Sequence, residues 1–186
     1  AWNAAKAAGK SIAWLGDYRT GSVASLLELL AGAGLKRTHW EPLGVETLLA
    51  AARAAYGVDE LPSYILDEAR TIVTFGHDFL GTAFDSMRTT KGWAKAKNPG
   101  ENGFVTRLVA ITSRVGVSES QADTCLAVNP GTEGTVALAL AKLCADAKGY
   151  SGPAAGLLAG VDVAAAAAAS GIPEAKLKMV AEWLAA

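Results

Sequence analysis

Thr71–Phe75 reads Thr-Ile-Val-Thr-Phe and stops at Gly76. Four β-branched residues and one aromatic in five positions suit a pleated strand, and the glycine closes it. The run does not alternate apolar with charged residues, so it predicts a strand covered on both faces. Working outward, residues 108–112 (LVAIT) repeat the pattern, and residues 125–128 (CLAV) give a shorter strand. Upstream, residues 11–15 (SIAWL) end in Gly16-Asp17. Residues 38–40 make a short second strand, with Pro42 and Gly44 as breakers.

Helical patterns fill the gaps. Val23, Leu26, Leu27 and Leu30 recur at helical spacing until Gly32 and Gly34 stop them. Leu48, Leu49, Ala52 and Ala55 mark a second helix that ends near Gly57. A third is expected over 80 to about 91, then a surface loop over 95–103. Residues 132–145 predict a long helix. Two more follow over 161–170 and 174–184, so C-terminal helices occupy about 154–186. Strands separated by helices imply parallel pairing with right-handed crossovers. The fold class is α/β, a Rossmann-like parallel sheet with helices on both faces.

The 186 residues suit a single α/β domain spanning 1–186. A composition that is 51% hydrophobic and 19% charged excludes wholesale disorder. Seventeen Lys and Arg balance eighteen Asp and Glu, so the basic footprint of a general nucleic-acid binder is absent. Cys125 and Cys144 are too few for a disulfide framework or a cysteine-rich metal site. His39 and His77 lack a third ligand at recognisable spacing, which argues against zinc. The apolar stretch over 161–169 is too short to span a bilayer, which takes about 20 residues. The chain opens at Ala1 with neither Met nor a signal-like stretch, as a processed product or a piece excised from a larger protein would.

In open parallel sheets, ligands bind beyond the carboxyl ends of the strands. Three loops fall there. In the first, Gly16 to Ser22, glycine lets backbone N–H groups approach a phosphate, Arg19 adds charge, and Thr20 and Ser22 add hydroxyl donors. Equally, Thr20 or Ser22 serves as the N-cap of a plain βα turn. In the second, Gly76 permits close approach and Asp78 accepts from a ribose hydroxyl or an amine, or else caps the next helix. In the third, Ser113 and Arg114 follow a strand, and Pro130-Gly131-Thr132-Glu133 opens the long helix. The Glu133 carboxylate suits the N1–H and amino donors of a guanine; alternatively Thr132 is an N-cap and Glu133 complements the positive helix end. No catalytic constellation, G-x-S-x-G elbow or P-loop accompanies these loops.

The order of the loops is what identifies them. FGHDFLGT over 75–82, LVAITSR over 108–114 and QADTCLAVNPGTEGTVALALAKL over 121–143 together resemble the molybdopterin oxidoreductase family. Ala122, Asp123, Leu126, Pro130, Gly131 and Thr132 match its Ala-Asp-x-x-Leu-x-x-x-Pro-Gly-Thr-Asp stretch, with Glu133 in the acidic place. The likeness runs from about Lys10 to the end. Its form looks closest to the molybdopterin-like iron–sulfur subunit of alternative complex III, which keeps the fold without the molybdenum cofactor. The resemblance implies one molybdopterin guanine dinucleotide along these strand ends. Gly76 and Asp78 would face the nucleotide, Ser113 and Arg114 its ribose side, and Thr132 and Glu133 the guanine. Gly16 and Arg19 to Ser22 match loosely, as the first βα loop.

The sequence departs from that family at two places. Thr112-Ser113-Arg114 stands where Asp-Pro-Arg is usual, and His77-Asp78-Phe79 where Asn-Pro is commoner. The cluster-binding cysteines and a metal-ligand residue have no match in this chain. The resemblance therefore implies either a cofactor-cradling domain that is inactive alone, or a degenerate structural module of a respiratory complex. Its partners would be the rest of its parent subunit and other electron-transfer subunits, in a membrane-attached complex on the exported side. An unrelated small α/β nucleotide-binding protein is the third reading.

Overall fold

The structure, a computed structural model, describes residues 1–17, 19–40 and 45–186. Two compact units emerge, Ala1–Ser63 and Tyr64–Ala186. In the first, α1 (Trp2–Ala7) precedes β1 (Ile12–Gly16), α2 (Gly21–Gly32), β2 (Leu35–His39) and α3 (Val45–Tyr56). β1 and β2 run parallel, with Ile12 opposite Leu35 and Gly16 opposite His39. β2 begins three residues ahead of its predicted start. Leu35 is buried while Lys36 is exposed, an alternation that accommodates the charged pair Lys36-Arg37 in a strand. The expected breakers Pro42 and Gly44 lie outside the described residues.

The second unit opens with a 3₁₀ turn, Leu66–Glu68, and β3 (Thr71–Phe75). Then come α4 (Ser86–Ala96), α5 (Pro99–Asn102), β4 (Arg107–Thr112), α6 (Val117–Ser120) and β5 (Thr124–Ala127). Four helices close the chain: α7 (Glu133–Lys148), α8 (Ala155–Ala159), α9 (Val163–Ser170) and α10 (Glu174–Ala185). The three strands lie in the order β3-β4-β5, all parallel, with Phe75 opposite Ile111 and Thr112 opposite Ala127. This is the Rossmann-like α/β arrangement the strand–helix alternation predicts.

β4 is the centre of the unit, and Leu108 to Ile111 are wholly shielded from solvent. Period-two alternation sends its side chains to two different cores. Val109 and Ile111 join Leu126, Val128, Val136, Leu140, Leu177 and Val180 under α7 and α10. Leu108 turns the other way, to Leu66, Phe79, Trp93 and Ala96, where the rings of Phe79 and Trp93 meet edge-on at 6.0 Å. Full burial of each large apolar side chain contributes about 2 kcal/mol.

One helix differs from expectation. α4 starts at Ser86, not at residue 80, because the preceding segment is tied into turns: the N–H groups of Gly81, Thr82 and Ala83 all donate to the Asp78 carbonyl. Asp78 is therefore not a helix N-cap. The stretch over 95–103 holds the end of α4 and all of α5, whose N-cap Asn98 accepts from Gly100 N at 3.1 Å. Among the described residues no helix is long and apolar enough to cross a membrane.

Candidate functional site

Parallel strands in the order β3-β4-β5 place three turns on one rim. Gly76 N donates to Ile111 O at 3.0 Å, and Val128 N to Thr112 O at 3.1 Å, so the three strands end level with one another. Adjacent strands sit about 4.8 Å apart, so the rim spans roughly 10 Å. Gly76, Ser113-Arg114 and the approach to Thr132-Glu133 therefore share one edge of the second unit.

The backbone along this rim is open. Gly76 and Gly131 adopt φ of +63° and +85°, where a Cβ is strained. A Cβ at Gly131 would meet nothing within 4 Å, and at Gly76 only Thr112 Oγ1, at 4.0 Å. Ser113 and Arg114 are exposed, and Thr132 and Glu133 half-buried. Thr112 Oγ1 braces the turn, accepting from Arg114 N at 3.1 Å and donating to Arg114 O at 2.6 Å.

Thr132 occupies the N-cap position of α7 without a side-chain cap; its Oγ1 donates to Asn129 O at 2.7 Å. The first-turn N–H groups of α7 have no partner within the helix, as at any helix start. Glu133 stands at the first helical position, beside them.

The Asp78 carboxylate is engaged within the fold. It is only 6% exposed, and its Oδ1 accepts from Ser118 N and Ser118 Oγ, both at 2.8 Å. Gly81 N adds a third bond at 3.2 Å, while Ser118 Oγ itself accepts from Leu80 N at 2.9 Å. Burial pushes the Asp78 carboxyl up, but the donors of Ser118, Val117 and Gly81 outweigh it and hold it below the usual carboxylate value. The carboxylate ties the turn after β3 to the start of α6. This pairing spans forty residues and carries no local sequence signal.

The first loop belongs to the first unit, at the carboxyl end of β1. Gly16 O accepts from Trp40 N at 2.9 Å, and a Cβ at Gly16 would run into the Trp14 indole. The Arg19 guanidinium is paired with Asp17 at 2.8 Å. Thr20 is the N-cap of α2 without a side-chain bond, and Ser22 lies in the first turn. His77 is exposed, its ring 6.3 Å from that of Tyr64. Among the described residues no three His, Cys, Asp or Glu side chains gather where they could hold a metal ion.

No family model and no curated protein matches this chain. Among solved structures it is similar to acetylene hydratase from Pelobacter acetylenicus, with a TM-score of 0.66 at 12% identity. The match covers 91% of this chain and 24% of that one. At that identity the likeness establishes the fold, and this chain spans about a quarter of the length of its neighbour.

Proposed function

We propose that this chain is a domain of a molybdopterin oxidoreductase-like protein, and that its rim holds the guanine dinucleotide end of a molybdopterin cofactor. It is not catalytic alone. The observation that carries this reading is the gathering of Gly76, Ser113-Arg114 and the loop leading to Thr132-Glu133 at the carboxyl ends of three adjacent parallel strands. The likeness in fold supports it, since acetylene hydratase stands in the superfamily that the sequence motifs independently resemble. A match to 24% of that chain also suits one domain of a larger subunit.

The residues present fit such a group. Open backbone at Gly76 and Gly131 admits a ligand closely, and the first turn of α7 offers N–H groups to a phosphate. The Arg114 guanidinium suits phosphate or ribose oxygens, and the Glu133 carboxylate the paired donors of guanine. Bound cofactor would supply the redox chemistry; the chain's residues bind and orient its nucleotide end. Gly16, Arg19, Thr20 and Ser22 present a similar loop after β1 in the first unit. On this reading the partners are the rest of the parent subunit and further electron-transfer subunits of a membrane-attached respiratory complex, on the exported side.

A second reading has its own observation. The Asp78 carboxylate is consumed by Ser118 and Gly81, which favours a structural domain without bound cofactor, in the style of the alternative complex III subunit. Thermal melting separates the two. Saturating guanosine diphosphate, about 100 times its Kd, adds about 2.7 kcal/mol, which is roughly 5–10 °C for a chain of this size. Arg114→Gln and Glu133→Gln should shrink that shift. Unchanged melting at millimolar nucleotide overturns the cofactor-holding reading and leaves the structural one.

A further inference from the structure

The opposite end of the second unit's sheet carries a cleft unrelated to the rim. Arg107 N donates to Arg70 O at 2.9 Å, which sets these two arginines side by side where β3 and β4 begin. The Arg70 guanidinium lies 4.8 Å from the Phe104 ring centroid, and that of Arg107 lies 4.3 Å from the Trp183 ring. Stacking on a ring holds a guanidinium plane in place while leaving its N–H donors available.

The carboxylate and hydroxyl side chains of the wall are already used. Asp123 accepts from Lys97 Nζ at 2.8 and 3.0 Å and from Leu108 N at 2.8 Å. Thr71 Oγ1 donates to Trp183 O at 3.2 Å, and Thr106 Oγ1 to Ala69 O at 2.7 Å. Among the described residues neither guanidinium makes a hydrogen bond or a direct ion pair; the Asp123 carboxylate feels the charge of Arg107 from further off. What remains in the cleft is donor-rich, with two guanidinium charges against the Asp123 carboxylate, and is lined further by Phe104, Val105, Trp183 and the last residue, Ala186. The cleft is open to solvent and offers about 400 Å³, within the range of small-molecule sites.

We propose that this cleft binds an organic phosphate, its dianionic head between Arg70 and Arg107 and its apolar body against Phe104 and Trp183. A phosphate offers three oxygens to two planar forks, whereas one fork already satisfies a single carboxylate. The aromatic rings give the body of the ligand a surface that bare phosphate cannot use. This inference does not rest on the pterin-nucleotide reading.

The test is an amide and indole NMR titration of the whole 186-residue chain with phenyl phosphate, inorganic phosphate and phenol at fixed ionic strength. Phenyl phosphate should shift the Trp183 indole saturably, and phenol should not. Inorganic phosphate should bind about threefold more weakly or worse, for want of apolar contact. Arg70→Gln and Arg107→Gln should each weaken phenyl phosphate about tenfold, while Arg88→Gln, exposed in the first turn of α4 and outside the cleft, changes nothing. Should a glutamine variant fail to fold, Arg107→Lys keeps the charge, loses the fork, and should still weaken binding. No saturation by about 20 mM, a range already at the weak limit of specific binding, overturns the proposal. So do unchanged affinity in the arginine variants and equal affinity for the two phosphates. A melting shift with guanosine diphosphate that survives Arg70→Gln keeps the fate of the rim separate from that of this cleft.

Discussion

Asp78 Oδ1 stands 2.8 Å from both the backbone nitrogen and the hydroxyl of Ser118, and so joins the turns that follow β3 and β4 into one body. The junction excludes solvent and crowds two glycines. A Cβ at Gly116 would lie 2.8 Å from Asp78 Oδ2, and one at Gly81 would overlap the same carboxylate. The rim's rigidity on the β3–β4 side thus comes from a buried carboxylate rather than from helix capping. Any ligand held there must be read by Arg114, Glu133 and backbone groups.

Asp78→Asn replaces an anion that serves several donors by an amide that cannot accept from all of them. Leaving buried donors short of an acceptor costs about 3 kcal/mol here, measured as a fall in denaturant midpoint at unchanged slope. Ser118→Ala should cost about 1–2 kcal/mol, and the double variant less than the sum of the two. Strict additivity would dissolve the pairing.

Acid sensitivity follows from the same geometry. Asp78 and Asp123 are both held below the ordinary value of 3.8, the first by Ser118, Val117 and Gly81 against its own burial, the second by Lys97, Leu108 N–H and the charge of Arg107 against its own. A carboxylate with a depressed folded pKa stabilises above its unfolded value and loses that contribution as pH falls through the folded one. Stability should therefore be flat from pH 7 to about 5 as far as these groups are concerned and fall below about 4. Asp78→Asn should flatten the acid limb; an unchanged limb sinks the assignment.

Lys97 and Asp123 allow one interaction to be divided. The pair is solvent-accessible on both sides, so Lys97→Met should cost no more than about 1 kcal/mol. Asp123→Ala removes in addition the acceptor of Leu108 N–H, and should cost about 1–2 kcal/mol more. Equal losses in chemical denaturation would mean that the backbone bond contributes nothing.

Much of the sheet is legible in the sequence. β3 coincides with Thr71–Phe75, and β4 adds only Arg107 to LVAIT, because β-branched runs ended by glycine or polar residues have few other solutions. The start of α4 was not legible: Leu80-Gly81-Thr82 looks like a helix opening until Asp78 and Ser118, distant in sequence, hold it as a turn. α1, α5 and α6, six residues or fewer, are too short for a periodic signal. The loops of the rim could be read because strand ends and glycines punctuate them. The arginine cleft could not, since parallel register alone brings Arg70 beside Arg107.

Two glycines separate the demand for space from the demand for backbone freedom. Gly116 has an ordinary φ of −114°, but its surroundings leave no room, with Asp78 Oδ2 and Glu119 Oε2 each 2.8 Å from a Cβ. Gly131 is the reverse case, with φ of +85° and open space around it. Gly131→Ala should therefore cost about 1–2 kcal/mol, the left-handed penalty of one residue. Gly116→Ala should cost about 3 kcal/mol, because a methyl must displace two hydrogen-bonded carboxylates. Paired denaturation curves decide it. If Gly116→Ala proves the milder change, the junction yields without loss and the rim is softer than its hydrogen bonds imply.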